Sequence, residues 1–171
     1  MLGNKIEKAL NDQINAEFYS SYLYLSMSAY FQTVTLCGFA NWMRIQAQEE
    51  LLHAMKLYDF VNERGGKVEL QAVEKPPVSW NSSIDVFEDV LNHERGITAK
   101  INEIVNIATD ERDHATQIFL QWFVTEQIEE EASATEVLHK LKLTNGEGSG
   151  LFMMDRELAA RVFTMPAAAT A

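Results

Sequence analysis

Apolar residues recur at helical spacing in four long runs. From Lys5 to about Thr33, Ile6, Leu10, Ile14, Tyr24, Met27/Ser28 and Phe31 share one face, and no Gly or Pro interrupts the run. From Gly38 to about Arg64 the stripe is Phe39, Trp42/Met43, Gln46, Glu50, His53, Leu57 and Phe60, and Gly65-Gly66 supplies the stop. A third run starts near Ser82, whose spacing to Asp85 resembles a capping box, and carries Phe87, Val90/Leu91, Glu94, Ile97, Ile101, Ile104/Val105 and Ala108. After a turn around Thr109 to Arg112, the fourth presents Phe119, Trp122/Phe123, Gln127, Glu130, Ala134, Val137 and Leu141.

The pattern predicts one all-α domain: a four-helix bundle over about 5–143, a short fifth helix over about 151–163, and a disordered tail from about Pro166. The linker Thr144 to Gly150 is flexible by composition. The fifth helix is apolar round much of its circumference (Leu151, Phe152, Met153, Met154, Leu158, Val162, Phe163), which predicts burial against other subunits as well as its own bundle. Between the second and third helices, Lys67 to Asn81 has no helical period and contains Pro76-Pro77. Some fifteen extended residues span up to about 50 Å, and a helix of about 27 residues is about 40 Å long. This connector can therefore cross the whole bundle and leave the two helices it joins parallel.

A length of 171 residues with 47% hydrophobic content fills one core, and a formal charge of −11 argues against a nucleic-acid partner and suits one that handles cations. The single cysteine, Cys37, permits neither an internal disulfide nor a paired thiolate metal site and reads as a small filler between helices. The charged N-terminal stretch reads as neither signal peptide nor membrane span, so a cytoplasmic location is expected.

Charged groups interrupt these stripes near their middles. Glu17, Glu50, His53, Glu94 and Glu130 fall at core positions on four helices. Glu50 and His53, three apart, are surface neighbours that can either pair with each other or reach one cation together. A buried unpaired carboxylate costs several kcal/mol or takes up a proton, and four around one point repel each other. Two divalent cations would balance the four negative charges of Glu17, Glu50, Glu94 and Glu130, with His53 as a neutral nitrogen donor. Di-iron carboxylate bundles place one Glu on each of two helices and Glu-x-x-His on each of the others. Here the fourth helix has Gln127 and Glu130 at that spacing, so one metal has an almost all-oxygen shell and is held more weakly.

The stretches QINAEFYSSYLYLSM, QEELLHAMKLYDFVNERGG and FLQWFVTEQIEEEASA together resemble the non-haem prokaryotic ferritins over nearly the whole chain. The resemblance implies a ferritin-like fold and iron storage with ferroxidase activity, Fe(II) being oxidised by O2 and stored as mineral in a hollow 24-subunit homo-oligomer. It implies that Glu17, Glu50 and His53 hold one iron and that Glu50, Glu94 and Glu130 hold the second, with Gln127 and Tyr24 beside the pair and Glu50 as the bridge. It also implies a third iron site at Glu49, Glu126 and Glu129 with Glu130, although a run of glutamates on a helix equally reads as a solvated face. Haem is disfavoured, because Leu51 stands where bacterioferritins carry their ligand methionine, and Met43 and Met55 read as core.

Other readings stay open. One is a storage shell without its own oxidase activity. Another is a DNA-protecting miniferritin that uses H2O2, which the fifth helix argues against, and a third is a monomeric di-iron oxygenase. Tyr24 could donate a hydrogen bond or an electron, or be a buried phenol tied to a neighbour, and Trp122 is equally ambiguous. His93, His114 and His139 read as surface or seam histidines.

Overall fold

The computed structural model describes residues 2–164, so the tail expected from Pro166 lies outside the described residues. Five helices follow in order: α1 (Asn4–Thr33), α2 (Cys37–Glu63), α3 (Ser83–Asp110), α4 (His114–Leu143) and α5 (Gly148–Leu158). No strand occurs among the described residues, and no helix is long and apolar enough to cross a membrane. Local chemistry sets the helix ends. Ser82 Oγ accepts the Asp85 N–H at 3.1 Å at the start of α3. Asp113 accepts the Thr116 N–H at 3.2 Å at the start of α4. Arg64 forks onto both Asp113 oxygens at 3.1 Å and so ties the end of α2 to that same start.

The connector's path decides the topology. It runs along α1: Glu7 accepts the Lys67 N–H at 3.0 Å, Asn11 exchanges bonds with Lys67 O (2.9 Å) and the Glu69 N–H (2.7 Å), and Gln71 reaches Asp12 at 2.9 Å. Farther on, Ser26 bonds the Pro77 carbonyl, and Trp80 lies edge-on to Tyr30 with ring centroids 5.4 Å apart. Residues 67 to 80 thus travel from the beginning of α1 to its end, and α3 starts beside the start of α2, parallel to it.

Two apolar cores result, one at each end. One gathers Phe31, Phe39, Trp42, Met43, Phe87, Val90 and Leu141. The other gathers Ile6, Leu10, Leu57, Ile101, Ile104, Leu120 and Phe123. Between them every long helix turns polar inside: Glu17 and Ser20, Gln46, Glu50 and His53, Glu94, Gln127 and Glu130 are all buried.

The fifth helix differs from expectation: it begins three residues earlier, at Gly148, and ends at Leu158 rather than near Phe163. Asn41 of α2 donates to the carbonyls of Leu158, Ala159 and Arg161 at 3.5, 3.4 and 3.0 Å, drawing off groups that a longer helix would use internally. Met154 and Leu158 pack on the bundle, while Phe152 and Met153 are 63% and 70% exposed. Cys37, read as a filler, is instead exposed, because it is the first residue of α2 and faces away from the packed seam.

Asp155 docks α5. Its Oδ1 accepts the N–H groups of Gly38 (2.7 Å) and Phe39 (3.1 Å), a carboxylate set against the positive end of α2. The backbones meet so closely that a Cβ on Gly38 would lie 1.6 Å from the Asp155 carbonyl oxygen. Gly38→Ala is therefore expected to displace α5 and speed proteolysis within 144–150. Asp155→Ala, which adds no bulk, should lower stability by about 2 kcal/mol in denaturant unfolding.

Candidate metal centre

The polar layer is assembled from helices already fixed by the two cores. Glu17, Glu50 and His53 each offer one ligand atom, and these atoms lie within 4.8 Å of one another with all three side chains buried. Gln13, one turn before Glu17, donates to Glu17 Oε1 at 2.8 Å, which leaves Glu17 Oε2 buried with no hydrogen-bond partner. His53 Nδ1 lies 3.6 Å from Glu50 Oε2. Gln46, one turn before Glu50, donates its amide to both Glu50 Oε1 (2.9 Å) and Glu130 Oε2 (2.7 Å).

Glu94 occupies the other side. Tyr24 Oη donates to its Oε1, and Gln127 Nε2 donates to its Oε2 at 3.2 Å and its backbone carbonyl at 3.3 Å. The Tyr24 phenol is thus tied to Glu94. Trp122 sits edge-on to His53, with centroids 5.3 Å apart. Glu49, Glu126 and Glu129 stand outside this layer; with His53, Glu130 and Arg161 they line a cavity of about 270 Å³ on the outer side of the histidine. Glu129 is exposed there, and Glu49 and Glu126 are half-buried.

Proton affinities record how costly the arrangement is. Burial, then the charge of Glu50, pushes both Glu17 and Glu94 up to about 8. Burial, then the charges of Glu50 and Glu94, raises Glu130 well above the ordinary carboxyl range. Burial also opposes charge on Glu50, but the adjoining His53 outweighs it and holds the group down. For His53 burial likewise works against the cation, and the Glu50 carboxylate overcomes it, raising the imidazole to about 10. Such a centre is poised to exchange protons for a multivalent cation. The orphaned Glu17 oxygen, the mixed carboxylate and imidazole donors and the absence of thiolate among them suit a borderline divalent ion.

Sequence reasoning named Gln127 but passed over Gln13 and read Gln46 only as a position on the helical stripe. Gln13 and Gln46 each precede a site glutamate by four residues, so a glutamine one turn upstream on the same face was the available signal. His93 is half-buried in the α1/α3 seam, 2.7 Å from Ser20 Oγ and edge-on to Tyr24, and burial lowers its pKa. Met43 is fully buried as expected, but Met55, two residues past His53 on the outward face of α2, is 40% exposed. Arg161 carried no recognisable signal inside a run read as apolar helix.

The family description Ferritin-like domain matches residues 7–144, which include every helix that contributes to this centre. The chain belongs to the ferritin family. The bacterial non-heme ferritin of Bacteroides fragilis is 42% identical over 161 residues, covering 94% of this chain and all of that protein. That of Staphylococcus aureus is 36% identical over 163 residues, covering 95% and 98%. Among solved structures, an open pore ferritin from the hyperthermophilic archaeon Archaeoglobus fulgidus superposes with a TM-score of 0.94 at 53% identity, over 95% of this chain and all of that one. Iron storage with ferroxidase activity is consistent with this ferritin membership, and the Glu17–Glu50–His53 cluster is compatible with iron.

Folding of the metal-free protein takes up protons, because Glu17 and Glu94 rise from 4.5 to about 8 and His53 from 6.5 to about 10. Stability should therefore fall as pH rises through about 4.5 to 10, most steeply between 6.5 and 8 where the windows overlap. Glu50, shifted down, opposes this trend only below its ordinary 4.5. In thermal unfolding of the metal-free protein, Glu94→Gln should flatten the slope and leave stability equal or higher at pH 8. A large loss at that pH would instead make Glu94 a structural residue.

Proposed function

We propose that this ferritin oxidises Fe(II) to Fe(III) with O2 at the intra-bundle centre and stores the product as mineral inside a homo-oligomeric shell of 24 copies in the cytoplasm. The observation that carries the reading is the buried Glu17–Glu50–His53 cluster, whose ligand atoms lie within 4.8 Å of one another and adjoin Glu94 and Glu130. Fe(II) is substrate here, not a resident cofactor. Glu17, Glu50 and His53 bind one ion; Glu50, Glu94 and Glu130 bind the second, with Glu50 shared between them.

Paired ions supply two electrons together, so O2 is reduced without releasing a one-electron product. Each ion that enters displaces protons held by Glu17, Glu94, Glu130 and His53, whose raised affinities keep those protons in place until a multivalent cation outcompetes them. Tyr24 and Gln127 keep Glu94 oriented in the metal-free state. The second ion lacks a histidine and is held more weakly, which favours departure of the ferric product to the store. Glu49, Glu126 and Glu129, with Glu130, offer a third iron site on its outward route. The exposed apolar face of α5 supports subunit packing.

Stopped-flow absorbance after mixing metal-free protein with Fe(II) in air tests the reading. Glu50→Ala/His53→Ala should slow oxidation at least about tenfold. Oxidation as fast as in the parent protein would leave a storage shell without its own oxidase activity. The mass of the assembled particle checks the shell.

A further inference from the structure

Arg161 brings a guanidinium into the carboxylate-lined cavity that His53 also borders. It stands three residues past the end of α5, where Asn41 holds its carbonyl at 3.0 Å. Its guanidinium lies on the Trp42 ring, 4.4 Å from the centroid. Nη2 donates to Gln46 Oε1 at 2.9 Å and to the Glu49 carboxylate, while Nη1 is buried without a partner.

The Gln46 contact reaches farther than it looks. Gln46 is fully buried, and its amide has one oxygen and one nitrogen to place. With the oxygen facing Arg161, the nitrogen must face Glu50 and Glu130, which it joins at 2.9 and 2.7 Å. Reversed, the amide would set its oxygen against the Glu50 carboxylate and its N–H groups against a guanidinium, unfavourable at both ends. Arg161 therefore sets the sense of the amide that spaces Glu50 from Glu130, and it does so while neutralising Glu49.

We propose that Arg161 is a positioning residue for the metal centre: it fixes Gln46 between Glu50 and Glu130 and stands in the Glu49–Glu126–Glu129–Glu130 cavity as a tethered cation that a third divalent ion must displace. The proposal rests on the function given above, because Glu130 belongs to both the pair and the cavity. Occupation of the cavity by a third ion then frees Gln46 and loosens the link between Glu50 and Glu130. Filling the outer site is thereby coupled to the geometry of the pair. The guanidinium is suited to this exchange, since it is half held by stacking on Trp42 and has an unsatisfied nitrogen, and so gives up few hydrogen bonds when it swings out.

Anaerobic calorimetric titration of the metal-free, assembled protein with Zn(II), which undergoes no redox chemistry, separates the two claims. The parent protein should bind two ions tightly per chain and a third weakly. If Arg161 fills the cavity nine-tenths of the time, Arg161→Ala should tighten the third ion about tenfold and, with the Gln46 amide no longer held by its oxygen, weaken the first two by a smaller factor. Arg161→Lys keeps a cation but loses the planar guanidinium stacked on Trp42, so it should fall between the two; it also serves should the alanine variant fail to assemble. A purely structural role for Arg161 would weaken all three ions together. Equal third-ion affinity in the parent and both variants, with the tight pair intact, would overturn the role of Arg161 alone. Absence of a tight pair in the parent protein would overturn both that role and the function on which it rests.

Discussion

Negative charge in a dry centre is the constraint on which this molecule turns. The two apolar cores at the bundle ends supply the burial that holds the helices together, and the polar layer between them draws on that stability. Apart from His53, which the Glu50 carboxylate keeps protonated, the donors that steady its carboxylates are neutral: the amides of Gln13, Gln46 and Gln127 and the Tyr24 phenol. Neutral donors orient a carboxylate without cancelling its charge, so the layer keeps its affinity for cations. A lysine or arginine inside the layer would have quieted it and removed its purpose.

The layer is also lopsided. On one side stand an imidazole and a carboxylate oxygen with no partner, on the other a carboxylate whose two oxygens are already engaged by a phenol and an amide. A cation must displace protons on the first side and hydrogen bonds on the second. The two sides consequently differ in what an arriving cation must displace, before any difference in ligand type is considered.

Much of this was legible in the chain, for identifiable reasons. Periodicity located all four long helices, since their stripes are wide and keep the helical period across the charged positions, and the length of the Pro76-Pro77 connector implied the crossover that its bonds to Glu7, Asn11 and Asp12 now trace along α1. Charged residues on apolar stripes flagged Glu17, Glu50, His53, Glu94 and Glu130, because burial of such groups demands a partner. Less legible were features that depend on distant segments meeting. The extent of α5 was misjudged because Asn41, more than a hundred residues away, takes its last carbonyls. Cys37 and Met55 were read inward, although position on α2 turns each of them outward. Arg161 had no periodic signature at all, and only the turn after Leu158 carries it back to Trp42 and Glu49.

The connector's route along α1 has a consequence for how the chain can be rearranged. Because that segment is laid on the outside of one helix and bears none of the site's side chains, the two helical hairpins on either side of it are each continuous in sequence and complete in their own contributions: Glu17, Glu50 and His53 from one, Glu94, Gln127 and Glu130 from the other. The centre is in this sense a joint between two halves, and the strap between them governs how they find each other more than what they form. New termini opened within that strap would preserve every side chain of the layer, leaving the halves to meet through their shared cores.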